Sequence, residues 1–352
     1  MIRRMLPDFK VKMTGSAITS RGGLPLIAHL AESLGLMGWI EEHLSRLKQR
    51  NRGYSVAESI LACMLSVVAG GESLDDTKVI AADRGLAKLL AKEAWPAPIT
   101  LGELLRRFNR GALKALWSVN ARLVGKILWV KKISTLTLDF DATLIESRKH
   151  EALKTYEGFG GYCPLLGFIS ELKLVLARLF RPGNASPAAH GLSFLKASLK
   201  LLPPWITQIS IRSDSAWYNH SVMGFCHDRG ILFCITADRR PGLIEELKAL
   251  PDEHWQAFDD THYIAKTVHV VGKSPRAYRL IALRTPAKQL HLFDGPYLYK
   301  AVVTNIDTWS ARQIILWHRK RADSENIVKE LKHGFALRRL PCGGLLANAA
   351  FF

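Results

Sequence analysis

"TLTLDFDATLIES", residues 135–147, alternates apolar and polar side chains and then sets two aspartates one residue apart. In an extended strand successive side chains point to opposite faces. Leu136, Leu138 and Phe140 therefore share one face, turned to a core, and Asp139 and Asp141 share the other. Aspartate is a poor strand residue, so a pair of them at a strand end asks for a reason other than packing.

Two further segments carry acids in a similar setting. In "ISIRSDSAW", Ile209 and Ile211 alternate with Ser210, Arg212 and Asp214, so Asp214 follows a strand on its polar face. Ser215 is placed to cap the next helix, and Asp214 itself equally suits a cap at a strand end. In "HRKRADSENIVKELKHGF", residues 318–335, His318, Arg321, Glu325 and Lys332 fall within about 60° of one another on a helix, whereas Glu330 lies about 140° from Glu325. Such spacing also describes a solvated charged face. Taken together, the three segments suggest a divalent-metal site. Mg²⁺ favours carboxylate oxygens and is held by few protein groups. Two such ions about 4 Å apart activate an attacking oxygen and stabilise the leaving one of a phosphodiester. Arg321 and Lys332 would then meet phosphate charge. Only one of Asp139 and Asp141 need serve as a ligand.

The whole chain sets the context. Its 352 residues suit two or three structural units rather than one core. Lys and Arg number 49 against 31 Asp and Glu, a net +18, which favours a polyanionic partner, nucleic acid above all. The longest apolar run, residues 60–71, is too short for the ~20 residues that a bilayer span needs. The N-terminus has basic residues but no apolar signal region. The five cysteines are scattered without a C-x-x-C pair, which argues against a disulfide framework or a zinc site and suits a reducing cytoplasm.

Along the chain, residues 1–22 read as a basic arm and 23–130 as helical, with apolar residues at three- and four-residue spacing. Arg106, Arg107 and Arg110 cluster there. From about 131 the pattern turns to strands alternating with helices up to 238, an α/β order. Residues 239–305 read as a β-rich insertion, and 306–352 as a closing segment that is helical from 309 to about 340.

At these residues the chain resembles DDE transposases of bacterial insertion sequences, in the superfamily marked by a Tyr-x2-Arg-x3-Glu-x6-Lys signature. Here it reads His318-x2-Arg321-x3-Glu325-x6-Lys332, with His where Tyr is expected. More narrowly, "DFDAT", "GFGGYCPLLGFI", "RPGNAS", "IRSDS" and "ENIVKELKHGF" followed by "RRLPCGGLLANAAFF" resemble, in order, blocks of the insertion-sequence family numbered 1380. The likeness spans roughly residues 25–352.

The resemblance implies an RNase H-like catalytic core with a β-rich insertion, preceded by an all-helical DNA-binding region. The first Asp would sit on the first strand, the second on the fourth, and the Glu on a later helix. It assigns catalysis and metal binding to Asp141, Asp214 and Glu325. Asp141 matches an Asp-x-Thr form with Thr143; Asp139 is the alternate, and Asp238 a weaker competitor for the second acid. His318, Arg321 and Lys332 would contact phosphate, and Trp255, in the insertion, would stack on a flipped base unless it is a core residue.

The implied cofactors are two Mg²⁺, with Mn²⁺ able to substitute. The partners are double-stranded DNA, as element inverted repeats and as target, and a second copy in a synapsed homodimer. No membrane is implied, and the location is the bacterial cytoplasm, on the nucleoid. Family members usually continue with further helices beyond the signature, so the end at "LANAAFF" reads as a shortened catalytic domain. Two other readings share these residues: a catalytically silent remnant that only binds DNA, and an RNase H-like nuclease without strand transfer. A two-carboxylate glycosidase fits neither the charge nor the Arg and Lys stripe.

Overall fold

The computed structural model describes residues 15–50, 52–92, 94–291 and 295–352. Most of the expected basic arm, residues 1–14, lies outside them. Residues 15–22 are docked rather than free. Thr19 Oγ1 donates to Asp83 at 2.6 Å, and Arg21 pairs with the same carboxylate at 3.3 Å. The Ile18 backbone runs so close to Gly85 that a Cβ there would meet it at 2.6 Å.

Helices fill the first third. α1 (Leu24–Ser33) and α2 (Leu36–Leu44) divide a stretch whose apolar spacing reads as continuous, because Gly35 takes a left-handed conformation at φ +82° between them. α3 (Val56–Val68) opens on a reciprocal cap: Ser55 Oγ accepts from the Glu58 N–H at 3.0 Å, and Glu58 accepts from the Ser55 N–H at 2.8 Å. α4 (Thr77–Ala81), α5 (Arg84–Leu89), α6 (Pro98–Arg106) and α7 (Arg110–Val130) follow. Asn109 caps α7 by accepting from the Ala112 N–H at 2.9 Å, and so cuts the third periodic segment in two.

The strands then begin with β1 (Thr135–Ala142). β2 (Ile145–Glu146), β3 (Leu153–Lys154) and β4 (Gly160–Tyr162) form a small sheet in the order β2-β4-β3. β5 (Leu165–Ile169), β6 (Leu174–Leu179), α8 (Gly191–Leu199), β7 (Gln208–Ser213), α9 (His220–Asp228) and β8 (Leu232–Thr236) come next. They are followed by α10 (Pro241–Lys248), β9 (Gln256–Ala257), β10 (Tyr263–Val270), β11 (Ala277–His291) and β12 (Gly295–Thr304), then α11 (Ala311–Arg319), α12 (Ala322–Gly334) and α13 (Leu345–Phe351).

The large sheet runs β6-β5-β1-β7-β8-β12-β11-β10-β9, with β1, β7 and β8 parallel and the other pairs antiparallel. Residues 239–305 open with α10, and their strands join the large sheet. β12 pairs with β8, Val302 beside Thr236 and Val303 beside Ile235, so the segment extends the core sheet. Without it, the β8 edge would leave unpaired backbone groups.

Leu136, Leu138 and Phe140 are buried beneath α7, α8 and α9. Phe140 stacks on Trp217 with ring centroids 4.5 Å apart. On the opposite face Asp139 is buried too, and its partner explains why. Arg212, its parallel-register neighbour on β7, donates from Nε to Oδ1 and from Nη2 to Oδ2, both at 2.7 Å. Nη2 also reaches Ser170 Oγ and Nη1 the Trp317 carbonyl, each at 2.6 Å. Burial pushes the Asp139 carboxyl up from its ordinary value, and Arg212 pulls it back. Removing one member of such a pair strands the other charge. Asp139→Ala should therefore lower the urea-unfolding free energy by about 3–5 kcal/mol, far more than Asp238→Ala, whose ion pair with Arg240 is exposed.

Candidate active site

Parallel pairing of β1 and β7 brings their C-terminal ends together. Phe140 sits beside Ser213, so the next residues, Asp141 and Asp214, emerge side by side. Among the strands of the large sheet in chain order, β1 is first and β7 fourth. Among the described residues, the Asp141 carboxylate accepts only from the N–H of its neighbour Ala142, at 2.9 Å. Its pKa is pushed up to about 6, by burial first and then by the charge of Asp214, with Arg321 opposing and Glu325 adding to the rise. Asp214 accepts from the Ala216 N–H at 3.1 Å and so caps the short turn at 215–217. The cap and the acidic cluster thus use the same residue. Burial raises its pKa as well, and the Ala216 N–H and Arg321 oppose.

The signature stretch is not one helix. Between α11 and α12 the backbone tightens to i→i+3 bonds, Lys320 N–H to Trp317 O at 3.2 Å and Arg321 N–H to His318 O at 2.9 Å. Ser324, buried, closes the turn by donating its hydroxyl to Arg321 O at 2.8 Å. A 3.6-residue projection therefore misplaces His318 relative to Glu325.

His318 is half-buried, and its Nε2 lies 3.3 Å from both the Ser213 carbonyl and Thr236 Oγ1. A carbonyl can only accept, so Nε2 carries the hydrogen. Burial pushes the pKa down to about 4. A neutral ring that pins α11 to the end of β7 is what the structure places at the position expected to contact phosphate. Arg321 starts α12 and pairs with Glu325 at 3.1 Å; the arginine is largely covered and the glutamate exposed. Lys332 is half-buried, its pKa lowered by burial, with the charges of Asp141 and Glu157 opposing.

Other expected residues lie elsewhere. Trp255 is 7% exposed, with Arg284 4.7 Å from its ring centroid and Tyr299 5.8 Å away. It packs as a core residue, the alternative to base stacking. Asp139 is occupied by Arg212 and is not a spare ligand. Asp238 pairs with Arg240 at 2.9 Å.

One neighbour escaped the sequence reading. Tyr156, 64% exposed, rides the turn between β3 and β4, held by the Gly158 N–H to Thr155 O bond at 3.0 Å with Gly158 at φ +96°. Burial raises its hydroxyl pKa, and the charges of Glu157, Cys163, Asp214 and Asp141 add to the rise. The available signal was an aromatic in a glycine-rich turn, where nothing packs.

Asp141 and Asp214 offer hard oxygen donors whose mutual repulsion a divalent cation would relieve. Among the described residues, no three His, Cys, Asp or Glu side chains stand in a metal-holding group, and Glu325 pairs with Arg321.

A family profile described as "Transposase DDE domain group 1" matches residues 5–351. The chain belongs to this family. Among curated proteins none matches. A solved structure similar to this DDE transposase chain is the piggyBac transposase in a synaptic complex with hairpin DNA; the likeness covers 93% of this chain and 73% of that one, at 10% identity and a TM-score of 0.49. Among the described residues of this transposase chain, no helix is long and apolar enough to cross a membrane.

The burial of His318 has a thermodynamic consequence. Its folded pKa of about 4 lies below the ordinary 6.5, so the stability it brings is full above pH 6.5 and is lost as pH falls toward 4. The loss should reach about 3 kcal/mol. Urea midpoints measured across that window should fall for the native chain relative to His318→Phe, which has no imidazole to protonate.

Proposed function

We propose that this chain is a DNA transposase of an insertion sequence, of the family numbered 1380. It binds the terminal inverted repeats and performs divalent-metal-dependent strand cleavage and 3′-OH strand transfer with Asp141, Asp214 and Glu325. The observation that carries the reading is the placement of Asp141 beside Asp214 at the ends of two parallel strands, with Arg321 and Glu325 within electrostatic reach of both. Family membership supports it, as does the +18 charge.

Water would cleave one strand at the element end and free a 3′-OH, which then attacks a phosphodiester of the target duplex. Two Mg²⁺, or Mn²⁺ in their place, would supply activation of the attacking oxygen and stabilisation of the leaving one. Asp141 and Asp214 would hold them, with Glu325 joining after it leaves Arg321. Arg321 and Lys332 would bind the phosphates flanking the scissile bond. His318, neutral and held by Ser213, would fix the helix that leads to these groups. A homodimer would bring two ends together on the nucleoid. Tyr156 would lie against the DNA that enters the site.

A second reading, end binding without cleavage, draws on the Arg321–Glu325 pair, in which the third acid is engaged by a cation of its own helix. One experiment separates them. With labelled DNA carrying the native element ends and Mg²⁺ or Mn²⁺, transposition predicts 3′-end nicking, cut by more than about 10²-fold in Asp141→Asn, Asp214→Asn and Glu325→Gln. End-specific binding with no nicking in the native chain would favour the silent reading.

A metal must also displace the Asp141 proton. Mn²⁺ affinity, followed by calorimetry, should weaken tenfold per pH unit below about pH 6. It should lose that dependence in Asp141→Asn, along with most of the affinity.

A further inference from the structure

Residues 110–135 carry Arg110, Lys114, Arg122, Lys126, Lys131 and Lys132 and no acidic residue at all. α7 delivers the last of these to the start of β1, the end of the sheet opposite Asp141. Trp129 and Val130 stand in solvent there, 67% and 68% exposed. Trp205, on the loop before β7, meets Trp129 edge to face with ring centroids 5.4 Å apart. That loop packs closely on α7, where a Cβ on Gly125 would touch Pro203 at 3.4 Å. Between them runs a groove of about 380 Å³ whose lining includes Arg122, Lys126, Lys200 and Trp205.

The charges divide into two groups. Arg122 lies over the Trp39 ring and pairs with Glu42 at 3.3 Å, and Lys126 donates to the Leu34 carbonyl at 3.1 Å. Lys131, Lys132 and Lys200 are exposed and enter no ion pair among the described residues. The acid nearest in the neighbouring turn, Glu171, is spent on the backbone: both its oxygens accept from the Thr137 N–H, at 2.8 and 3.1 Å. The part of the surface around Lys131, Lys132 and Lys200 is therefore positive and partly apolar.

We propose that this face holds a second segment of duplex DNA, gripped through its backbone and without regard to sequence. Lysine is a point charge without the planar fork that reads a base edge, and contacts to phosphate position a duplex rather than identify it. The two tryptophans supply flat apolar area for the sugars between phosphates. Six residues of β1 separate this end from Asp141, about 20 Å at strand rise, so the contact lies apart from the acids. Its sequence-blind chemistry suits duplex that flanks the point of reaction. The inference rests on the reading of the chain as a transposase only for the segment's role; the DNA contact stands apart from cleavage.

The test is anisotropy of a labelled random-sequence duplex against salt, using the full chain and exposed-residue variants. For Lys131→Gln/Lys132→Gln/Lys200→Gln the slope of log affinity against log salt should become shallower by about 0.9 per lost contact, near 3 in all. Trp129→Ala should weaken binding while keeping the slope. Nicking at native element ends should persist in both. An unchanged slope and affinity in both variants would overturn the proposal. So would a shift of the native chain from dimer to monomer on Trp129→Ala with duplex binding intact, which would make the face a contact between copies. Failure of end nicking in the native chain would count against the transposase reading alone, since the slope change needs no cleavage.

Discussion

Arg212 is the residue on which the Asp141 and Asp214 end of this molecule hangs. Its guanidinium joins β1 through Asp139, the turn after β5 through Ser170, and α11 through the Trp317 carbonyl, and its plane lies 5.2 Å from the Trp317 ring. A single planar fork thus fixes two parallel strands in register and docks the helix that precedes the third acid. Burying an ion costs several kcal/mol unless its donors are filled, and here Nε and both Nη nitrogens find acceptors. Geometry, rather than net energy, is what such a pair contributes. Its register sets Asp141 and Asp214 adjacent.

That adjacency is costly by design of the backbone alone. Two carboxylates at neighbouring strand ends repel, and burial removes the water that would screen them. Arg321 is the cation that opposes both rises, and it is shared with Glu325. Raised carboxyl pKa values in a cleft mark functional sites more often than structural ones, and here the sheet, not a loop, produces them.

Much of this was readable beforehand. The alternation at 135–142 and 208–213 is a short-range signal, and the strands follow it. Asp141, Asp214, Arg321 and Lys332 stood out because strand ends and helix phase are local properties. What was not legible depended on contacts distant in sequence. Asp139 looked equal to Asp141 until Arg212, 73 residues away, claimed it. The break at Lys320 is invisible to a periodic projection, because the residues there are ordinary helix formers and the tightening is closed by Ser324. Strand content at 263–304 was plain, but pairing of β12 with β8 is a long-range choice that no local pattern records. Trp255 was ambiguous for the same reason: its exposure is decided by Arg284 and Tyr299.

The shared arginine makes the site an exchange. Arg321 cannot hold Glu325 and a phosphate at full strength together, so an incoming phosphodiester loosens the third acid as it is gripped. By linkage the effect runs both ways: whatever draws Glu325 toward the other two acids frees the guanidinium for DNA. Metal and nucleic acid would therefore each raise the affinity for the other, with no movement of the sheet, and a chain offered only one of them would already have loosened the pairing in part.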